Sequence, residues 1–507
     1  MLLRQTVINL RSKKIEAFFS KSPIAVDIFI KIFHWISNSF KGICYNLAKQ
    51  QIQGMKNILV IGAGLSASSM LRYFCQNAEK EEWNIKVGDQ NADLAKSKVA
   101  NCSRAEGFAL NALDPKERGP LIEWADIVIS MLPARFHVEV AVDCIRYKTN
   151  LITPSYISKE MKALQEEAEK AGVLIMNEIG VDPGIDHMSA KKVLDDIEAM
   201  GGSMHIFESF TGGLIAPESD NNPWNYKFTW NPRNVVLAGQ GSAAKFIQEG
   251  KYKYIPYNKL FRRTEIINIE GYGDFEGYAN RDSLKYRAKY GLEDIPTIYR
   301  GTFRRKGFSK AWDVFVQLGA TDDSYVLEGS KDMTKRDFIN SFLRYNEHDS
   351  VELKLRHYLQ IDHDDIIFDK LVWLGVFDEV KMDFTEDVTP AKFLQAILEE
   401  KWQLEPEDKD MIVMWHKFVY KLNGEFHEIN SHMVAIGEDQ TYTAMSNTVG
   451  LPAAICTKMI LNGTIKLTGV HLPIIKEIYD PILAELEEYG IVFQEKEISE
   501  PILYAEV

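Results

Sequence analysis

Gly62-Ala63-Gly64-Leu65-Ser66-Ala67 has the form G-x-G-x-x-A and stands directly behind the apolar run Ile58-Leu59-Val60-Ile61. A short β-branched run of that kind predicts a buried parallel strand. Residues 66–74 then predict a helix. The first glycine permits a tight turn, and the second lets the backbone approach a pyrophosphate. The small residue in third place lets helix and strand pack closely. A helix N-terminus offers N–H groups to phosphates. A second predicted strand over 84–88 leads into Asp89, where a carboxylate accepts hydrogen bonds from adenosine ribose hydroxyls. The chemistry implied is the binding of a dinucleotide.

Three further groups could act on a substrate beside it. Ser155-Tyr156 follows a predicted strand over 151–153, close to the nicotinamide half of a bound dinucleotide. Asp182, Asp186 and His187 lie one strand further on, in the dense segment NEIGVDPGIDH (177–187). Arg233, Arg281, Arg300 and Arg304 lie in later loops. Guanidinium forks hold carboxylates through paired bonds. Several arginines facing a dinucleotide therefore imply an anionic substrate with more than one carboxylate. Each residue also has a structural reading. Asp182-Pro183-Gly184 is a turn signal, His187 at a helix start can cap or pack, and a lone arginine is often a solvated surface charge.

The elements that must position these groups alternate. Strands are expected at 58–61, 84–88, 108–111, 126–130, 151–153 and 173–176, with helices at 66–74, 92–99, 137–148 and 158–171. Ser158 is the N-cap of the last helix, with Met161, Leu164 and Ala168 at helical spacing. This β-α-β-α series predicts an α/β protein built on a Rossmann-type doubly wound parallel sheet, with ligands at the carboxyl ends of its strands. From about 203 the pattern changes to strands over 204–211, 235–238 and 266–270, separated by loops over 212–230 and 271–281. Residues 310–402 read as a helical insert. Strands return over 410–436, and a helix over 441–465 can pack back on the first sheet. The expected domains are a dinucleotide-binding domain over 55–182, an α+β substrate and dimerisation domain over 183–309 and 403–507, and the insert.

Composition sets the limits. The chain of 507 residues is long enough for two or three domains. A net charge of −13 argues against a nucleic-acid partner. Cys44, Cys75, Cys102, Cys144 and Cys456 are scattered, with no C-x-x-C pair, which predicts free thiols, a reducing cytoplasmic compartment and no metal framework. No run of about 20 apolar residues marks a membrane span. Residues 1–54 hold eight Lys/Arg against two acids, Glu16 and Asp27. That balance suits a transit-like or membrane-surface segment, but the favoured reading is an extension ahead of the folded enzyme.

The segments SYIS (155–158), MNEIGVDPGIDHM (176–188), GGLIAPESDNNPWNYKFTW (212–230), YANRDS (278–283) and RGTFRRKGF (300–308) resemble those of the glutamate-forming saccharopine dehydrogenases, also called saccharopine reductases. Near the C-terminus EDKDMIVM (407–414) and TVGLPAAICTKMILNG (448–463) look most like the dehydrogenase half of the bifunctional lysine-degrading enzyme of animals and plants. The likeness runs from Met55 to about Ile491.

The resemblance implies oxidation of saccharopine to L-glutamate and 2-aminoadipate 6-semialdehyde, or the reverse condensation, in lysine metabolism. Saccharopine carries three carboxylates. The family pattern carries substrate contact onto Ser155, Tyr156, Asp182, Arg281, Thr302, Phe303 and Arg304, with Asp182 and Tyr156 nearest the chemistry. It carries cofactor contact onto Gly62, Ala63, Gly64, Leu65, Ser66, Asp114, Leu132, Val181, Asp182, Pro183 and Asn231, and implies a homodimer as candidate assembly. Fungal members bind NADP and usually offer an arginine after the second strand. Gly88-Asp89-Gln90-Asn91 stands there in this chain, and a carboxylate at Asp89 favours NAD over NADP. Asn231-Pro232 replaces a Ser-Ser pair of the fungal members at one pocket edge. A carboxyspermidine-type imine reductase and a non-catalytic NAD-binding homologue are the alternatives. The first would not need both Arg281 and Arg304, and the second should have lost part of this motif set.

Overall fold

The computed structural model describes residues 54–362, 365–501 and 503. The reading of residues 1–53 as an extension lies outside the described residues.

Six strands alternate with helices in the first third of the chain. They are β1 (Lys56–Ile61), β2 (Trp83–Asp89), β3 (Ala105–Ala109), β4 (Ile127–Ser130), β5 (Asn150–Ile152) and β6 (Leu174–Met176). There follow β7 (Ser203–Ile215), β8 (Ala244–Gln248), β9 (Lys251–Ile255), β10 (Thr264–Ile269), β11 (Gly273–Ala279) and β12 (Thr297–Arg305). The last four are β13 (Asp410–Leu422), β14 (Glu425–Ile436), β15 (Gly469–His471) and β16 (Gln494–Ile498).

The first sheet has the order β15-β6-β5-β4-β1-β2-β3. β1 pairs in parallel with β4, β2 with β3, β4 with β5, and β6 with both β5 and β15. Alternate residues of β1 feed two cores. Ile58 and Val60 pack on one face, Leu59 and Ile61 on the other. A strand buried on both faces is the mark of a doubly wound sheet, and the expected α/β class holds. The chain runs β1-β2-β3 to one side and β4-β5-β6 to the other. The switch point, where such sheets bind ligands, falls between the ends of β1 and β4.

The second sheet runs β10-β11-β12-β7-β13-β14-β16, with β8 and β9 branching from β12. β7 is its middle, parallel to β12 and antiparallel to β13. Three expectations are corrected here. Residues 212–215 continue β7, and most of the expected loop over 271–281 is β11. The run 235–238 is not a strand. It lies at the end of the helix Pro232–Leu237, because Asn231 caps the helix and Pro232 takes its first turn. A short apolar run alone cannot separate strand from helix. The helix expected over 158–171 is also divided at Leu164 into Lys159–Ala163 and Gln165–Ala171.

Between β12 and β13 lie the helices Phe308–Leu318, Lys335–Ser341, Val351–Leu359, Ile366–Leu374 and Pro390–Glu399. Thr334 and Asp337 form a capping box, and Thr389 caps a helix that opens on Pro390. These helices share one aromatic core with the sheet, in which Phe210, Trp224, Phe303, Trp312 and Trp402 are buried. The helix Ala444–Leu461 lies against the helix Ser68–Asn77 that follows the glycine loop. Ser69 N donates to Ser446 Oγ at 2.9 Å. A Cβ on Gly450 would lie 2.9 Å from Met70 N, so only glycine allows that approach.

Candidate active site

The glycine loop leaves the end of β1 with Gly62 at φ +102°, where a Cβ would meet the Met131 backbone at 3.2 Å. Gly64 has open space where its Cβ would be, room for a pyrophosphate to approach the backbone. Ala67 is buried against the sheet. Asp89 ends β2 and braces the loop. Ala63 N donates to its Oδ2 and Asn91 N to its Oδ1, both at 2.8 Å. Leu65 forms the exposed shoulder of the loop beside half-buried Ser66, and Leu132 follows β4 across the switch point. The cradle fits a dinucleotide.

The turn after β6 carries the acid. Gly184 has φ +147°, and a Cβ there would fall 2.1 Å from Gly180 O, so the turn closes only on glycine. The Asp182–Pro183 peptide is cis. Val181 and Pro183 are buried while the Asp182 side chain keeps 16 % exposure. Tyr156 OH donates to Asp182 Oδ1 at 2.7 Å, and Arg300 Nη2 donates to the same oxygen at 3.0 Å. Oδ2 takes no hydrogen bond from the described residues. One oxygen of the carboxylate is held by the protein and the other is left for a ligand.

Arg300 is buried and also donates to Asp186. Its guanidinium lies 4.0 Å above the ring of Tyr286. Burial alone would lower its pKa, but the carboxylates of Asp182 and Asp186 outweigh burial and hold it well above its ordinary value. Burial pushes the Asp186 carboxyl up. Tyr156 is 41 % exposed, with its hydroxyl bonded to Asp182 beside the buried Arg300, Tyr286 and Asp186. That burial, then the Asp182 charge, pushes the phenol well above its ordinary range, so it stays a donor.

Behind the turn, His187 is fully buried with Nε2 2.7 Å from Glu178 Oε2 and Nδ1 2.6 Å from Tyr290 OH. Glu178 Oε1 accepts from Ile157 N at 3.0 Å and from Lys289 Nζ at 3.1 Å. This cluster ties the Ser155-Tyr156 segment to the Asp182 turn. His187 therefore packs behind the site and does not face it.

Alternation along β12 places Arg300, Thr302 and Arg304 on one face and Phe303 on the other. Thr302 pairs in register with Thr211 on β7. Arg304 is buried among the rings of Tyr226, Phe308 and Tyr278, 5.0, 5.4 and 5.9 Å away. Its Nη1 donates to Phe303 O at 2.8 Å, and its Nε has no partner among the described residues. Phe303 is fully buried and stacks on Phe210, so its side chain faces the core.

Other expected contact residues have side chains bonded outside this cluster. Arg281 is exposed and donates to Leu237 O and Gln240 O, closing the end of the helix Pro232–Leu237. Arg233 pairs with Asp323. Asn231 accepts from Asn234 N at 3.3 Å, and Asp114 accepts from Lys116 N at 2.8 Å, each as a helix cap. Sequence reasoning passed over Tyr286, Lys289 and His137. His137 had a visible signal, a histidine opening a helix at the ligand edge of the sheet. Among the described residues no group of three His, Cys, Asp or Glu is placed to hold a metal ion. No helix among them is long and apolar enough to cross a membrane.

A doubly wound sheet with a glycine loop at its switch point, whose strand ends carry a carboxylate pair bonded to an arginine of a second sheet, is the architecture of a dinucleotide-dependent oxidoreductase. Residues 58–176 match the saccharopine dehydrogenase NADP binding domain, and residues 180–491 match the saccharopine dehydrogenase C-terminal domain. The chain belongs to the saccharopine dehydrogenase family. It is 34 % identical to the saccharopine dehydrogenase [NADP(+), L-glutamate-forming] of Saccharomyces cerevisiae, over 88 % of this chain and 100 % of that one. It is 32 % identical to the mitochondrial alpha-aminoadipic semialdehyde synthase of Rattus norvegicus, over 93 % of this chain and 52 % of that one. The solved apo saccharopine dehydrogenase (L-Glu forming) from Saccharomyces cerevisiae superposes with a TM-score of 0.80 at 33 % identity, covering 88 % of this chain and all of that one.

Proposed function

We propose that this chain oxidises saccharopine to L-glutamate and 2-aminoadipate 6-semialdehyde, or runs the reverse condensation, in lysine metabolism. The observation that carries the reading is the divided Asp182 carboxylate, with Oδ1 bound by Tyr156 and Arg300 and Oδ2 open. The open oxygen suits the secondary amine that joins the two halves of saccharopine. In the oxidative direction the amine loses its proton, and the carbon on the lysine side gives up a hydride. Water then adds to the imine and the C–N bond breaks, releasing glutamate and the semialdehyde. Asp182 supports the cationic amine, and Arg304 with Ser155 and Thr302 hold substrate carboxylates.

A nicotinamide dinucleotide supplies the hydride acceptor, held by the glycine loop, Leu132 and the Val181–Pro183 turn. We take it to be NADP. The likeness to the NADP binding domain of the family and to the NADP(+)-dependent fungal saccharopine dehydrogenases supports this, against the expectation drawn from Asp89. Both oxygens of Asp89 are engaged by backbone N–H groups, which weakens the carboxylate as a signal for a free ribose diol. We further propose a dinucleotide-binding domain over 55–182, a substrate and dimerisation domain over 183–309 and 403–507, a helical insert over 310–402, a cytoplasmic location and a homodimer.

The test is the absorbance of reduced nicotinamide with saccharopine and each of NAD and NADP. Turnover with saccharopine is the expected result, faster with NADP. No reduction of either cofactor would end the proposal.

A further inference from the structure

His137 joins the two halves of the candidate site. It opens the helix His137–Tyr147 and is 3 % exposed. Three hydroxyls surround its ring. Ser130 Oγ lies 2.9 Å from Nδ1, while Ser155 Oγ lies 2.8 Å and Thr153 Oγ1 3.0 Å from Nε2. Ser130 ends β4, two residues before Leu132 on the cofactor side. Thr153 and Ser155 follow β5, and Ser155 adjoins Tyr156, which holds Asp182.

We infer that His137 is a positioning residue, which fixes the Ser155 hydroxyl so that it donates to a carboxylate of the substrate. This deepens the proposed function and rests on it. A neutral imidazole has one donor nitrogen and one acceptor nitrogen. Burial holds this ring neutral, with its pKa lowered to about 4. A carboxylate only accepts, so a hydroxyl that touches it must donate outward and accept from behind. The group behind Ser155 Oγ is His137 Nε2, which then carries the proton and shares it with Thr153 Oγ1, the longer of its two contacts. Nδ1 becomes an acceptor for Ser130, whose fully buried hydroxyl has its hydrogen bond to that nitrogen. The opposite tautomer would turn the Ser155 proton inward and present lone pairs to an anion. The imidazole thus sets whether the site receives a carboxylate or repels it. No charge on the ring is needed.

The experiment uses the full chain with saccharopine and compares His137→Ala, His137→Gln, Ser155→Ala and the double variant His137→Ala/Ser155→Ala. A hydrogen bond to a charged group changes affinity by roughly one to two orders of magnitude. KM for saccharopine should therefore rise about tenfold or more in His137→Ala. kcat and the affinity for the reduced cofactor, read by its fluorescence, should change less than threefold. The amide of His137→Gln returns a donor near the place of Nε2 and should recover most of the loss. In the Ser155→Ala background, His137→Ala should add nothing further. Nitrogen-15 shifts of the wild-type ring with saccharopine bound should show Nε2 protonated. Unchanged KM in His137→Ala, a full additional loss in the double variant, or a proton on Nδ1 would each overturn the inference. If the wild-type chain fails to turn over saccharopine, the functional reading falls, a result separate from any of these.

Discussion

Tyr156 donates its hydroxyl to Oδ1 of Asp182 at 2.7 Å, which leaves Oδ2 as the face the carboxylate shows to a ligand. Arg300 reinforces the orientation from the other side at 3.0 Å. The pair is therefore a device for aiming one oxygen. Tyr156→Phe keeps the ring and removes the aim. A hydrogen bond to a charged group is worth about 1.5–3 kcal/mol, so kcat/KM for saccharopine should fall roughly tenfold to hundredfold. Asp182→Asn removes the negative charge itself and should cost more. The phenol pKa lies well above its ordinary value, so the Tyr156→Phe deficit should stay constant from pH 6 to pH 9. Steady-state kinetics across that range check it, and a deficit that shrinks toward high pH would mean the phenol loses its proton in the working enzyme.

Arg304 should act on binding rather than on chemistry. It is buried among aromatic rings with Nε lacking a partner among the described residues, a cation held ready for an anion. Arg304→Lys keeps the charge but loses the planar fork. KM for saccharopine should rise roughly tenfold, with kcat within about threefold of wild type, since the contact is the same in ground and transition states. Arg281→Lys should do less to KM, because the Arg281 guanidinium donates to the carbonyls of Leu237 and Gln240. Initial-rate measurements on both variants check the contrast. An equal rise in KM for Arg281→Lys would place that arginine on the substrate.

The parallel sheet was legible because its strands are short, continuous and apolar, a local signal that survives folding. The second sheet was less so. β11, over Gly273–Ala279, is rich in glycine and acidic residues and reads as a loop. It is a strand because β10 and β12 pair on either side of it. The candidate site was legible at the residues a motif names, Ser155, Tyr156 and Asp182, of which the last two are bonded to each other. It was illegible where partners are distant in sequence. Arg300 looked like one of four substrate arginines, and only the fold shows it spent on Asp182 and Asp186, more than 110 positions away. Phe303 sits inside the family motif, but strand alternation turns it to the core. Its place in the motif is explained by packing on Phe210.

Asp89 allows charge and bracing to be separated. Its Oδ2 accepts from Ala63 N in the glycine loop at 2.8 Å. Asp89→Asn can keep the acceptor for Ala63 N at the cost of the one for Asn91 N, and it removes the negative charge at the position proposed for the adenosine ribose. NADP should then bind more tightly, by about tenfold, because repulsion of a 2′-phosphate is relieved. Asp89→Ala removes the brace and should weaken NAD and NADP alike, by a similar factor. Dissociation constants from the fluorescence of each reduced cofactor check both. If Asp89→Asn leaves NADP affinity unchanged, the carboxylate lies too far from the phosphate to matter.

Glu178 should make the chain sensitive to acid. Burial alone would raise its pKa. The bond and charge of His187, the charge of Lys289 and the Ile157 N–H outweigh burial and lower it from 4.5 to about 2. A folded-state pKa below the unfolded one means that the unfolded chain binds the proton more readily. The stabilisation is therefore present above pH 4.5 and is lost as pH falls toward 2. At about 1.4 kcal/mol per pKa unit, the shift corresponds to roughly 3 kcal/mol at neutral pH. Glu178→Gln should lower stability by about that much at pH 7, and the gap to wild type should close as pH falls through the window. Denaturant unfolding at pH 7 and near pH 3 measures it. A gap that stays constant between the two would mean that hydrogen bonds the amide cannot reproduce, and not the carboxylate charge, hold the Ser155-Tyr156 segment to the Asp182 turn.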